Sequence, residues 1–122
     1  MADKKSILIV DDDPIYARMV REWTKDFYQA FVVVSGEQTI RFLTKHTVDM
    51  ILLDYEMPIM SGAQTLEHIR ENDSTKDIPV TILSGTTDEP TIEKIHQLDT
   101  QGFIRKTIKK EEFLEYLDNS IN

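Results

Sequence analysis

Three carboxylates, a hydroxyl and an ammonium in this chain each come directly after, or at the end of, a short apolar run. Asp11 and Asp12 follow Ser6-Ile7-Leu8-Ile9-Val10, Asp54 follows Met50-Ile51-Leu52-Leu53, Ser84 follows Val80-Thr81-Ile82-Leu83, and Lys106 follows Gly102-Phe103-Ile104-Arg105. If one fold gathers these ends, the chemistry is narrowly constrained. Ionised carboxylates crowded together repel and need a compensating cation. Without His or Cys in the group, magnesium is the natural occupant, with manganese as its substitute: it takes one or two carboxylates, keeps several waters and accepts phosphate oxygens. Calcium is disfavoured, because the regular loop of oxygen ligands it uses is missing. A lysine and a hydroxyl facing the cation are the groups needed to hold a transferred phosphoryl group. An Asp carboxylate can itself be the nucleophile, giving an acyl phosphate.

The elements that must position these groups alternate along the chain. Asp49 to Asp54 leads four apolar residues into a carboxylate, the pattern of a strand buried on both faces. Pro58 and Gly62 then break the chain, so Asp54 emerges from the sheet into a loop. Ser6–Val10 is the first strand, with Asp13-Pro14 as the cap and first turn of a helix. The four-residue spacing of Ile15, Met19, Trp23 and Phe27, with Val20 beside them, predicts that helix's core face. Ala30–Val34 is the second strand, and Ser35-Gly36 opens a helix with Ile40, Leu43 and Phe42 turned inward. Gly62 to about Glu71, carrying Leu66 and Ile69, is the third helix. The fourth starts near Asp88-Glu89-Pro90 and carries Ile92, Ile95 and Leu98. Lys109 to Ser120 is the last, with Phe113, Leu114, Leu117 and Ile121 at helical spacing. Strands alternating with helices imply an α/β domain, its parallel strands joined by right-handed crossovers and its helices on both faces. Parallel strands align their carboxyl ends, where the ligand crevice of an open sheet lies.

Composition sets the outer limits. The 122 residues suit one domain, 1–122, with no linker or repeat. Cysteine is absent, which excludes disulfides and thiolate chemistry and agrees with a cytoplasmic location. Met1-Ala2-Asp3-Lys4-Lys5 opens no signal peptide or membrane span. A formal charge of −8 repels phosphate backbones, so proteins or cations, not nucleic acid, are the expected partners. His46, His68 and His96 lack the spacing of a metal pair and are expected at solvated positions. Trp23 is expected to pack, and Lys4-Lys5 and Lys109-Lys110 are too short for a nucleic-acid patch.

Four motifs together resemble the receiver domains of two-component response regulators over essentially the whole chain. They are Val10-Asp11-Asp12-Asp13-Pro14, Leu52-Leu53-Asp54-Tyr55-Glu56-Met57-Pro58, Leu83-Ser84-Gly85 and Gly102-Phe103-Ile104-Arg105-Lys106. The resemblance implies a flavodoxin-like (βα)5 sheet of strand order 2-1-3-4-5. It also implies roles: Asp54 as phosphoacceptor, Asp11 and Asp12 holding the metal with Asp54, and Glu56 adding its backbone carbonyl. Ser84 and Lys106 would contact the phosphoryl group, and Phe103 would be an aromatic switch that, with Ser84, reshapes the surface of the fourth helix, fifth strand and fifth helix. A histidine kinase or histidine phosphotransfer protein would supply the phosphoryl group, the domain catalysing its own phosphorylation and dephosphorylation. An output protein, not identified by the sequence, would read the switched surface.

Two positions depart from the family pattern. Thr107 stands where a cis proline usually follows the lysine, which leaves the Lys106-Thr107 bond either trans, or cis and strained, and puts the reach of Lys106 in question. Asp99-Thr100 replaces a small Gly-Ala pair before the last strand, so that loop is expected to be locally altered. Two alternatives follow. Asp11-x-Asp13 with Ser84 and a downstream lysine also resembles haloacid dehalogenase-like phosphohydrolases, in which Asp11 would be the nucleophile. A receiver-like docking module independent of phosphorylation is the other.

Overall fold

The computed structural model describes residues 4–121. Met1, Ala2 and Asp3 of the stretch where no targeting segment is expected lie outside the described residues, as does Asn122. The elements run β1 (Ser6–Val10), α1 (Pro14–Thr24), β2 (Gln29–Val33), α2 (Gly36–Lys45), β3 (Met50–Asp54), α3 (Gly62–Glu71), β4 (Val80–Ser84), α4 (Glu89–His96), β5 (Gly102–Arg105) and α5 (Lys110–Ile121). All neighbouring strands pair in parallel, in the order β2-β1-β3-β4-β5. This is the flavodoxin-like order. It puts β3 in the centre, and its alternating side chains face two separate cores. Ile51 and Leu53 join Leu8, Val10, Val80 and Ile82 against α2, α3 and α4, where Leu43, Leu66, Ile69 and Ile95 are buried. Met50 and Leu52 join Ile7, Ile9, Leu83 and Ile104 against α1 and α5, where Val20, Phe113 and Leu117 are buried. Each fully buried aliphatic side chain contributes about 1.5–3 kcal/mol, so the sandwiched sheet is the main source of stability.

The helices begin where their caps dictate. Asp13 accepts hydrogen bonds from Ile15 N at 3.0 Å and Tyr16 N at 3.4 Å, with Pro14 in the first turn. Ser61 and Gln64 cap α3 reciprocally, satisfying two amide donors that the helix leaves open. The face of α1 corrects the sequence expectation. Tyr16, Ala17, Val20 and Thr24 are the buried residues, while Ile15 is 81% and Phe27 59% exposed. Met19 and Trp23 are half-buried flanks of the second core, Trp23 meeting Phe113 edge-on at 5.6 Å. Thr24 is tolerated inside because its hydroxyl donates to Val20 O at 2.9 Å, and Phe27 falls in the turn after the helix ends.

Strand β2 is also shifted by one residue from the expected Ala30–Val34. Gln29 pairs with Ser6, whereas the Val34 amide leaves the ladder to donate to Gln38 Oε1 at 3.0 Å. The loop around Asp99 needs no left-handed residue: among the described residues Ile59 alone, at φ 69°, is non-glycine with positive φ. Arg70 holds that loop by donating twice to the Asp99 carbonyl. No helix among the described residues is long and apolar enough to cross a membrane.

Candidate functional site

Backbone hydrogen bonds align the carboxyl ends of the strands into one rim. Asp11 N donates to Val33 O at 3.2 Å, Tyr55 N to Leu83 O at 2.9 Å, and Lys106 N to Ser84 O at 2.9 Å. Each bond extends a strand pairing one step beyond the sheet, fixing Asp11, Asp54 and Lys106 beside one another. The wall behind Asp54 is the start of α3. A Cβ at residue 62 would lie 2.3 Å from the Asp54 carbonyl oxygen and 2.7 Å from Tyr55 Cα, so Gly62 is required for this close approach.

The side chains converge accordingly. Lys106 Nζ lies 2.8 Å from Asp11 Oδ2 and 3.2 Å from Asp54 Oδ1. Carboxylate oxygens of Asp11, Asp12 and Asp54 all fall within 4.8 Å of one another. Asp11 is fully buried and Asp54 3% exposed, while Asp12 is open to solvent. Asp11 Oδ1 accepts from Asp13 N at 2.9 Å, and Asp54 Oδ1 accepts from Glu56 N at 3.4 Å. Burial first, and then the Asp11 charge, push the Asp54 carboxyl up to about 7 despite the opposing pull of Lys106. Burial acts to lower the Lys106 pKa, but Asp11 and Asp54 outweigh it and hold the ammonium above its usual range.

With all three ionised, the carboxylates exceed the one ammonium by two negative charges, and Asp11 Oδ2 has no hydrogen-bond donor besides its ion-paired lysine. Oxygen donors in that arrangement fit a hard divalent cation. Among the described residues this acidic trio is the one cluster able to hold a metal; His46 instead stacks on Phe42 at 4.7 Å.

Ser84 is buried on the same rim, its hydroxyl accepting from Thr86 N at 3.1 Å, and so it bears on its own loop and not on Asp54. Phe103 packs half-buried on the α4 side of the sheet, edge-on to His96 at 6.2 Å. The peptide bond after Lys106 is trans, since the described residues contain no cis bond, and the lysine reaches both carboxylates nonetheless. Sequence reasoning missed Tyr16. Its ring lies beneath Lys106 Nζ, 4.8 Å from centroid to nitrogen, and burial followed by the Asp11 and Asp54 charges holds its phenol well above the usual range. The signal was the Tyr16, Val20, Thr24 stripe, adjacent to the more apolar one.

The response regulator receiver domain family matches residues 7–118. The chain belongs to that family. The receiver is 26% identical over 121 residues to the sensor histidine kinase TmoS of Ectopseudomonas mendocina, covering 99% of this chain but only 12% of that kinase. It is 25% identical over 112 residues to the polar-differentiation response regulator DivK of Brucella anthropi, covering 91% of each. In structure it is similar to the receiver domain of the sensor histidine kinase PA1611 from Pseudomonas aeruginosa, with TM-score 0.88, 22% identity and 98% of both chains covered. That crystal structure is described as having a magnesium ion coordinated in its active site cleft. The two-component receiver assignment therefore takes precedence over the phosphohydrolase alternative.

Proposed function

We propose that this receiver, a single domain over 1–122, takes a phosphoryl group onto Asp54 from the phosphohistidine of a histidine kinase or histidine phosphotransfer protein. An Asp54 carboxylate oxygen attacks phosphorus, the P–N bond breaks, and its electron pair returns to the imidazole of the donor. Asp11, Asp12 and Asp54, with the Glu56 backbone carbonyl, hold magnesium, or manganese in its place. When bound, the ion would offset the carboxylate charge and the charge of the transferred phosphoryl group. Lys106 exchanges part of its carboxylate pairing for a phosphoryl oxygen, and Ser84 turns from the Thr86 amide to donate to another. Those contacts exist only after phosphorylation, so they drive a population shift. Phe103 follows Ser84, and the surface of α4, β5 and α5 is presented to an output protein. Attack by water on the same phosphorus breaks the bond to the Asp54 oxygen, restoring the carboxylate and releasing inorganic phosphate. The setting is the cytoplasm.

The observation that carries this reading is the placement of one ammonium within ion-pair distance of two buried carboxylates, 2.8 and 3.2 Å away, that share a rim with a third. Incubation with acetyl phosphate and magnesium, borohydride trapping and peptide mass spectrometry test it. Trapped label on Asp54 is expected. Label on Asp11 would instead favour the phosphohydrolase chemistry, and an unlabelled protein whose partner binding survives Asp54→Ala would favour the docking module.

A further inference from the structure

Lys106 needs an explanation for its reach. Its peptide bond to the next residue is trans, Thr107 is exposed, and four rotatable bonds decide where Nζ lies relative to the backbone. A flexible stem of that kind would ordinarily sample many rotamers. One side chain lies where it can restrict them: Tyr16, 8% exposed, whose ring centroid is 4.8 Å from Lys106 Nζ.

We propose that Tyr16 is a positioning residue for Lys106, its ring face seating the ammonium between Asp11 and Asp54. The proposal rests on the phosphorylation reading for its consequence in rate, but not for its geometry. Three observations support it. Ile104 and Tyr16 belong to the same core on the α1 side of the sheet, so a side chain two residues beyond Ile104 naturally projects over that ring. Tyr16 is rooted in the same loop as the carboxylates, since its amide and that of Ile15 are both held by Asp13 Oδ1 while Asp13 N is held by Asp11 Oδ1. Finally, the buried Tyr16 hydroxyl has no hydrogen-bond partner, so packing and the cation orient the ring, not its polar tip. A ring face attracts a cation through its negative quadrupole, and burial strengthens the attraction.

The discriminating variants are Tyr16→Phe, which keeps the face, and Tyr16→Leu, which keeps apolar volume without it. In the unphosphorylated, cation-free protein, the NMR resonances of the Lys106 ε-methylene are expected to show an upfield ring-current shift in the parent and in Tyr16→Phe, and none in Tyr16→Leu. Absence of that shift in the parent overturns the proposal without requiring either variant to fold, and without bearing on phosphorylation. With acetyl phosphate and magnesium, Tyr16→Phe is expected to retain most of the rate while Tyr16→Leu loses roughly tenfold. In a Lys106→Ala background Tyr16→Leu is expected to add no further loss. A full additional loss there would show that Tyr16 acts independently of the lysine, and equal losses in Tyr16→Phe and Tyr16→Leu would show that the hydroxyl matters instead; either result overturns the seat. If Asp54 is not phosphorylated at all, the ring-current result stands alone and only the rate consequence falls with the functional reading.

Discussion

The Lys106 ammonium lies 2.8 Å from Asp11 Oδ2, an oxygen with no other donor. One lysine therefore compensates a fully buried carboxylate when no cation is bound. Lys106→Ala leaves that charge bare, and deleting one partner of a buried pair costs about 3–5 kcal/mol, somewhat less here because the lysine is partly exposed. The expected outcome is a lowered urea midpoint that saturating magnesium restores. Magnesium binding itself persists and tightens severalfold, because a competing positive charge has been removed. Phosphorylation by acetyl phosphate slows. Titration calorimetry and denaturation with and without the ion check these together.

Asp54 gives the second expectation, a dependence on pH. Its folded-state pKa near 7 lies above its ordinary 3.8, so the folded chain binds that proton more tightly than the unfolded chain. Metal-free stability from this group is complete below the lower value and is lost as pH rises to about 7. Asp54→Asn removes the loss: at pH 8 the variant should be more stable than the parent by about 1–3 kcal/mol. Its stability should also flatten across the interval in which the parent declines. Cation affinity moves oppositely, weakening as protons compete below about pH 7. A parent protein whose metal-free stability rises through this interval would contradict the assignment.

Gly62→Ala tests the wall behind Asp54. The added methyl meets backbone atoms at 2.3 and 2.7 Å, which rotamer changes cannot relieve. A loss of about 1–3 kcal/mol is expected in urea unfolding. Gly85→Ala is the control, since a Cβ there meets nothing within 4 Å.

Ile59 offers a gain. It is 97% exposed and sits at φ 69°, a conformation that a β-branched residue adopts at a cost of about 1–2 kcal/mol. Ile59→Gly relieves that strain and gives back part of it as unfolded-state entropy, for a net stabilisation of about 0.5–1 kcal/mol by thermal unfolding.

Much of the architecture was legible in the sequence because each local signal agreed with the fold. Apolar runs ending in Asp11, Asp54, Ser84 and Lys106 announced the strands, and Asp13-Pro14 and Ser35-Gly36 the helix starts. The face of α1 was not legible. Its most apolar stripe begins with Ile15, yet Tyr16 and Thr24 are buried, Tyr16 packing beneath a lysine distant in sequence and Thr24 satisfying its own hydroxyl. Val34 misled for a related reason: its composition suits a strand, but Gln38 captures its amide. At the site, Asp11, Asp12, Asp54 and Lys106 could be found from run ends alone. Tyr16 could not, since its position depends on a contact between the first helix and the lysine that follows the last strand. Thr107 raised a question about the lysine that only the geometry answers.

The seat of Asp54 carries a kinetic meaning as well. Strand β3 pairs on both sides and has no exposed side chain. Its amides are expected to exchange with solvent mainly through global opening, whereas loops and helix ends open locally at far smaller free energies. Asp54 is thus expected to ride on a slowly exchanging strand; β4, which carries Ser84, is likewise paired on both sides and buried, and Phe103 lies on the edge strand β5. In the proposed switch the movement of Phe103 would belong to the sheet's edge while Asp54 stays still, like the fixed jaw of a vice.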